Sequence, residues 1–162
     1  MKYYPSKDTL WNEECKYVIG YCQGFGLDVG AGQRTLAPHL LTNDNAVDGC
    51  DFSYEADDLK FKDKYFDFIY ASHIIEHMID PLKAIKEWIR VVKITGYIVI
   101  ICPDKRFTPT LGNMQVDAQH KADYSYEQMR ELIKLIDNVE IVSKNPNALP
   151  NFSMLFVLRR IK

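Results

Sequence analysis

A short glycine-containing stretch, Gly26-Leu27-Asp28-Val29-Gly30-Ala31-Gly32, constrains the fold of this chain more than any other feature. Residues 25–29 predict a buried strand, and the glycines predict a tight turn into a brief helix around residues 36–41. Glycines let the backbone approach a ligand closely, and free N–H groups at the start of a helix attract negative charge. A purely structural turn would use the same residues, so the rest of the sequence has to decide whether this turn binds a ligand.

Periodic apolar residues elsewhere predict alternating strands and helices. Helices are expected from Ser6 to Gly24, from Asp80-Pro81 to Thr95-Gly96, and after a capping box of Ser125 and Gln128. Strands are expected at residues 46–48, 54–57, 65–71, 97–102, 139–143 and 152–159, with a turn at 145–150. Too few residues separate the second and third strands for a crossover helix. The pattern predicts one α/β domain with a mostly parallel sheet, helices on both faces and an antiparallel last strand.

Composition argues against several functional classes. The chain has 20 Lys and Arg against 22 Asp and Glu, a formal charge of -2, so no overall field attracts nucleic acid. Its four cysteines form no Cys-x-x-Cys pair, and we expect reduced thiols instead of a zinc or redox motif. Neither a signal sequence nor a membrane-spanning segment is predicted. We therefore expect a cytoplasmic protein that binds neither membranes nor nucleic acid.

Further motifs follow the glycine turn in a specific order. Asp48 comes about 16 residues after the turn, at the predicted end of the second strand, where a carboxylate can accept hydrogen bonds from a ribose diol. The motif Ala56-Asp57-Asp58-Leu59 comes next, then a Phe66-Asp67 strand and a Ser72-His73-Ile74-Ile75-Glu76-His77 junction. In this order the chain resembles the class I S-adenosylmethionine-dependent methyltransferases, in particular the type 11 group. The resemblance is close over residues 26–105 and elsewhere extends to element order alone.

The resemblance implies a Rossmann-like core at residues 25–162, preceded by an N-terminal helix in 1–24, together forming a single methyltransferase-like domain. It implies S-adenosylmethionine as cofactor and methyl transfer as the reaction. Asp28, Gly30, Ala31 and Gly32 would hold the methionine end of the cofactor, Asp48 its ribose, Asp57 or Asp58 its adenine amino group, with Asp57 preferred. Leu59 would flank the adenine ring, and Ser72 and His73 would line the cofactor and acceptor side.

His73 is the candidate catalytic residue. A hydroxyl acceptor needs a base, and an imidazole titrates near neutral pH. The alternative is a histidine that only shapes the pocket through hydrogen bonds. No metal site is predicted, although some methyltransferases hold a divalent metal with a pair such as Glu76-His77. His120 is expected to be a solvated loop residue.

The acceptor is expected to be a small molecule, and a second copy of the chain or a partner subunit could complete the site. The chain has Gln33-Arg34 where the family commonly has a third glycine. A degenerate, non-catalytic binding or scaffold protein is therefore the alternative function. A metallopeptidase is disfavoured because Asp80-Pro81 starts a new helix just after His73-Ile74-Ile75-Glu76-His77. A nicotinamide-dependent oxidoreductase is disfavoured because no Tyr-x-x-x-Lys pair lies on a predicted helix.

Overall fold

The computed structural model describes residues 13–32, 36, 40–107 and 119–162. The strands of this part are β1 (Gly26–Val29), β2 (Leu41–Asn43), β3 (Phe66–Ser72), β4 (Val92–Pro103), β5 (Val139–Leu149) and β6 (Ser153–Arg160). They form one sheet in the order β2-β1-β3-β4-β6-β5. Neighbouring strands among β2, β1, β3 and β4 are parallel, and β6 runs antiparallel to β4 and β5. The predicted mostly parallel α/β sheet with an antiparallel last strand is confirmed.

Two helices pack on one face of the sheet. Helix α1 (Pro81–Val91) begins as predicted, because the Asp80 side chain accepts a hydrogen bond from the Lys83 N–H and Pro81 occupies its first turn. Helix α2 (Tyr126–Lys134) begins with the predicted capping box. The buried face of α1 comprises Ala84, Ile85, Trp88, Ile89 and Val91. These side chains join Met129 and Ile133 of α2 in the larger of two hydrophobic clusters.

The opposite face of the sheet is covered by the N-terminal segment. Residues 13–15 are helical, and Cys15, Val18 and Cys22 pack against Phe68 and Tyr70 of β3 in the second cluster. Neighbouring positions of β3, among them Ile69 and Ala71, belong to the first cluster, as the alternation of side chains along a strand requires. The part of the predicted N-terminal helix before residue 13 lies outside the described residues.

The predicted second and third strands are wrong. Residues 46–48 and 54–57 form no strand, and β2 lies earlier in the chain, at Leu41–Asn43. Only a single parallel bridge, between Asn43 and Phe52, extends the sheet in this region. The Asn43 side chain instead holds the backbone of Tyr54, donating to its carbonyl and accepting from its N–H, both at 2.9 Å. A side-chain amide thus supplies the hydrogen bonds that a third strand would have made.

Three element boundaries also differ from prediction. Helix α1 ends at Val91, before Thr95-Gly96, because Val92 is already extended and pairs with Phe66 of β3. Strand β5 continues through the predicted turn at 145–150 as far as Leu149, since pairing with β6 outweighs the local turn signals. The predicted helix at 36–41 does not include Leu41, which begins β2. Residues 37–39 lie outside the described part. No helix among the described residues has the length and apolarity needed to span a bilayer.

Candidate cofactor and acceptor site

The glycine turn after β1 combines a packed glycine with an open one. Gly30 and Gly32 both have left-handed backbone conformations, with φ of 72° and 58°. A Cβ at Gly30 would lie 2.7 Å from the side chain of Ile74. A Cβ at Gly32 would meet no atom of the described residues within 4 Å, apart from its chain neighbours. Gly30 is therefore needed for close packing against Ile74, just after β3, whereas no described residue fills the space beside Gly32.

The amide groups of the turn are engaged by the end of β2. The N–H groups of Gly30 and Ala31 donate to the Asn43 carbonyl at 2.8 and 3.4 Å, and the Gly32 N–H donates to Asp44 Oδ2 at 2.9 Å. The prediction of free amides that attract a cofactor carboxylate is therefore wrong for these three groups. They hold the turn against β2 instead, which leaves the turn preorganised.

Asp28, at the end of β1, is buried and holds the chain beyond the turn. Its side chain is 2% exposed, and Oδ2 accepts a hydrogen bond from the Leu36 N–H at 2.9 Å. A buried carboxylate needs such donors to offset its desolvation. Asp28 thus lies at the predicted site as a support for the segment that follows the glycines.

The acidic residue that directly follows β2 is Asp44. Asp48 was predicted to end the second strand, but residues 46–48 form no strand. Asp48 lies five residues beyond Asn43 and is exposed. Asp44 contacts the glycine turn through Gly32 and also accepts a hydrogen bond from the Ala46 N–H at 2.8 Å. In the sequence, Asp44 ends the run Leu41-Thr42-Asn43-Asp44, which begins with an apolar and a β-branched residue. This run is too short to predict a strand on its own.

The three residues predicted to contact adenine have separate environments. Asp57 Oδ2 accepts from Lys83 Nζ of α1 at 3.0 Å, and Asp58 is exposed and pairs with Lys60. Leu59 is 2% exposed, belongs to the hydrophobic core and donates its N–H to Glu87 Oε1 at 2.8 Å. Asp57 is half-buried, so it is the member of this group that combines partial accessibility with a fixed position.

His73 stands at the junction after β3, between two carboxylates. Its backbone is left-handed, with φ of 55°, and its N–H donates to the Ile101 carbonyl of β4 at 2.8 Å. Its ring places Nε2 3.1 Å from Glu14 Oε2 and Nδ1 3.6 Å from Glu76 Oε1. Glu14 comes from the N-terminal segment and also accepts a hydrogen bond from the Ser153 hydroxyl of β6. No local pattern predicts the contact between Glu14 and His73, because 59 residues separate them in the sequence.

This environment gives His73 a positive charge. Burial lowers the pKa of its imidazole. The carboxylates of Glu14 and Glu76 raise the pKa by more than burial lowers it, so that it reaches about 10. A histidine that is already protonated at neutral pH cannot accept a proton from an acceptor hydroxyl. The role of general base, expected for His73 from the sequence, is therefore not supported by its surroundings. Ser72 is the last residue of β3 and is half-buried.

A second histidine group lies beside His73. His120 is not a solvated loop residue: its side chain is 7% exposed, with Nε2 3.9 Å from Glu76 Oε1. The rings of His77 and His120 meet edge to face, with centroids 4.8 Å apart. Ligand atoms of Glu76, His77 and His120 all lie within 4.8 Å of one another. The site thus gathers two carboxylates and three imidazoles at the carboxyl end of β3.

Thiol labelling provides a first prediction about this part of the protein. Burial raises the pKa of Cys15 to about 11, that of Cys22 to about 12, and that of Cys102 well above its usual value. Cys50 is half-buried beside the glycine turn, with its Sγ 3.6 Å from the Gly32 carbonyl. We expect Ellman's reagent to label one thiol of the native protein rapidly and all four after unfolding. Rapid labelling that persists in Cys50→Ser would contradict this assignment.

Comparison with known proteins identifies the class. A family model described as a methyltransferase domain matches residues 15–100, and the chain belongs to this family. The uncharacterized protein MJ1123 of Methanocaldococcus jannaschii is 26% identical over 156 residues, which cover 83% of this chain and 73% of that protein.

Two solved structures share the fold. An S-adenosylmethionine-dependent methyltransferase of Thermotoga maritima, described as a possible histamine N-methyltransferase, has a TM-score of 0.70 at 19% identity, covering 94% of this chain and 89% of its own. A chain from the complex between the Trm112 methyltransferase activator and a methyltransferase of Haloferax volcanii has a TM-score of 0.69 at 13% identity. The match covers 96% of this chain and 92% of that chain. At these identities the likeness establishes the Rossmann-like methyltransferase fold.

Proposed function

We propose that this chain transfers a methyl group from S-adenosylmethionine to a small-molecule acceptor. The observation that carries the proposal is the glycine turn at the carboxyl end of β1. Gly32 has a left-handed backbone, borders space that no described residue fills, and is held by Asp44, which follows β2. In open α/β sheets, ligands bind at the carboxyl ends of the strands, beside such a turn. Membership in the methyltransferase family supports this cofactor for this turn.

The residues present fit an adenosyl cofactor in most respects. The space beside Gly32 would accept the methionine end, Asp44 would accept hydrogen bonds from the ribose hydroxyls, and Asp57 is the candidate for the adenine amino group. Because the turn amides are engaged within the protein, the cofactor carboxylate would need donors other than Gly30, Ala31 and Gly32. When bound, S-adenosylmethionine supplies an electrophilic methyl group on a sulfonium.

The side chains of this site then contribute mainly orientation and charge. Glu14 and Glu76 hold the imidazolium of His73, which presents a fixed positive charge. The His73 side chain is 24% exposed. A preorganised charge of this kind orients a polar acceptor and costs little reorganisation during the reaction. Alignment and exclusion of water are the main requirements of methyl transfer. His73 therefore serves as a positioning residue in this proposal.

Several observations support the remaining parts of the proposal. The formal charge of -2 and the relative described as a possible histamine N-methyltransferase favour a small molecule over nucleic acid. Four unpaired thiols favour a reducing compartment such as the cytoplasm. The likeness to a chain from a methyltransferase–activator complex supports a protein partner. We propose residues 1–162 as one domain.

Isothermal titration with S-adenosylmethionine and S-adenosylhomocysteine tests the cofactor site and discriminates between the two candidate acids. We expect Asp44→Asn to weaken binding about 10- to 100-fold, since it removes a charged hydrogen-bond acceptor while an amide oxygen can still accept from Gly32. The matched variant Asp48→Asn should bind within about twofold of the unmodified protein, because Asp48 is exposed beyond β2.

The opposite ranking of the two variants would restore Asp48 as the ribose ligand. Failure of the folded, unmodified protein to bind either compound would overturn the methyltransferase proposal. It would leave the non-catalytic scaffold as the function to be tested.

A further inference from the structure

Three side chains of types that bind metals converge at the carboxyl end of β3. Glu76 and His77 lie on a short 3-10 helix, Ile75–His77, and His120 lies in the segment before α2. Their ligand atoms are all within 4.8 Å of one another. We propose that Glu76, His77 and His120 bind a first-row divalent metal ion such as Zn²⁺ or Mn²⁺.

Backbone hydrogen bonds hold the two halves of this cluster together. The N–H groups of Lys121 and Ala122 donate to the Glu76 carbonyl at 2.8 and 3.1 Å, which fixes the His120 segment against the 3-10 helix. The His77 N–H donates to the Ile74 carbonyl at 3.0 Å. The ligands are thus brought together by the fold and not by flexible side chains meeting at the surface, which lowers the entropy lost on metal binding.

Glu76 carries the strongest sign of a missing partner. It is 2% exposed, and its Oε2 has no hydrogen-bond partner in the part of the chain that the structure describes. A buried carboxylate oxygen without a partner is costly, and native proteins rarely leave one unexplained. The other oxygen, Oε1, faces His73 Nδ1 at 3.6 Å and His120 Nε2 at 3.9 Å. A cation bound between Glu76, His77 and His120 would give the unpaired oxygen a partner.

The surroundings of His120 also suit a metal ligand. Its Nδ1 lies 3.5 Å from Asp123 Oδ1, while Nε2 faces Glu76. Histidines that bind metals commonly donate their second ring N–H to a carboxylate, which orients the ring and increases its basicity. Asp123 is 11% exposed, so this pair is largely shielded from solvent.

The donor set indicates the class of metal. Two imidazoles and one carboxylate suit Zn²⁺, Mn²⁺ and related first-row ions, whereas Mg²⁺ and Ca²⁺ favour oxygen ligands. Metal bonds of about 2.0 to 2.2 Å require the ligand atoms to approach more closely than in this structure, by small side-chain rotations. Three protein ligands leave at least one coordination position open, as in catalytic zinc sites.

The open position gives the metal a role in the proposed reaction, and this role rests on the proposed function. The cluster adjoins His73, which lies at the predicted acceptor side, so an acceptor oxygen or nitrogen could bind the metal directly. A bound divalent ion lowers the pKa of a coordinated hydroxyl and favours its deprotonated, nucleophilic form.

Metal binding can be measured without cofactor or acceptor. The full chain, purified without a polyhistidine tag and stripped with a chelator, would be titrated with Zn²⁺ and with Mn²⁺ alone. We expect one equivalent to bind, with affinity at least about 100-fold lower in Glu76→Gln and in His120→Ala, and about 10- to 100-fold lower in Asp123→Asn. The matched control Glu131→Gln, an exposed carboxylate on α2, should bind like the unmodified protein.

A Co²⁺ titration of the unmodified protein keeps the test independent of how the variants fold, because imidazole ligation produces saturable visible absorption at one equivalent. No saturable binding of Zn²⁺, Mn²⁺ or Co²⁺, or equal binding by folded Glu76→Gln and His120→Ala, would overturn the site. Metal binding without S-adenosylmethionine binding would support the site and reject the proposed function. Binding of S-adenosylmethionine without metal binding would support the proposed function and reject the metal site.

Discussion

Replacing Trp88 with alanine is expected to lower the free energy of unfolding by about 3 to 5 kcal/mol. Trp88 is the largest fully buried side chain described, and it lies in the cluster between α1 and the sheet. Its indole N–H also donates to the Ala56 carbonyl at 2.8 Å, which ties α1 to the segment that carries Asp57. The substitution removes a large apolar surface, leaves a cavity and frees a buried carbonyl, and these losses act together.

Urea denaturation followed by far-UV circular dichroism measures this change. Trp88→Phe keeps most of the apolar volume but leaves the Ala56 carbonyl without its donor, so a smaller loss, about 1 to 3 kcal/mol, is expected. Ile79→Ala, at a side chain that is 90% exposed, should change stability by no more than about 0.5 kcal/mol. Similar stabilities of Trp88→Ala and Ile79→Ala would show that Trp88 is not packed between α1 and the sheet.

In Gly32→Val, the affinity for S-adenosylmethionine and S-adenosylhomocysteine is expected to fall at least about 100-fold. A branched side chain here would project into the open space beside the turn, where the methionine end of the cofactor is proposed to lie. A Cβ at this position meets no described atom within 4 Å, apart from the chain neighbours of Gly32. The left-handed backbone, φ 58°, adds a strain of about 1 to 2 kcal/mol, which a folded domain can tolerate.

Isothermal titration with S-adenosylhomocysteine gives the affinity, and thermal denaturation verifies that Gly32→Val is folded. Gly20→Val is the control: its Cβ also meets no described atom within 4 Å, and Gly20 lies in the N-terminal segment, before β1. Equal affinities of Gly32→Val and Gly20→Val would exclude the space beside Gly32 as the cofactor site. That result would leave the metal site untouched, because the two experiments share no ligand.

The site also explains why the short connection after β2 does not prevent the fold from forming. In place of a third strand, the Asn43 side chain holds Tyr54, the Thr42 hydroxyl and N–H bind Asp51, and Asp44 holds Gly32. Polar side chains at the end of one short strand thus position both the glycine turn and the segment leading to Asp57. An abbreviated sheet can in this way keep the parts of the methyltransferase fold that border the proposed cofactor site.

Local sequence signals determined the elements that carry their own start signals and apolar periodicity. The capping box of Ser125 and Gln128, the N-cap Asp80 and the apolar run 97–102 predicted α2, the start of α1 and the centre of β4, because these signals act over one or two helical turns or one strand. The glycine turn and the junction at His73 were likewise visible as motifs, and with them the family.

Only the tertiary structure decided which residues share the site. Strand β2 is three residues long, and its long-range pairing with β1 places Asp44, and not Asp48, directly after the strand. Glu14 reaches His73 from the far side of the sheet, and His120 reaches Glu76 from the segment before α2. These contacts join residues that are remote in sequence, so no local periodicity encodes them. They determine which charged groups surround His73 and Glu76, because ionisation depends on the groups within a few ångströms in space.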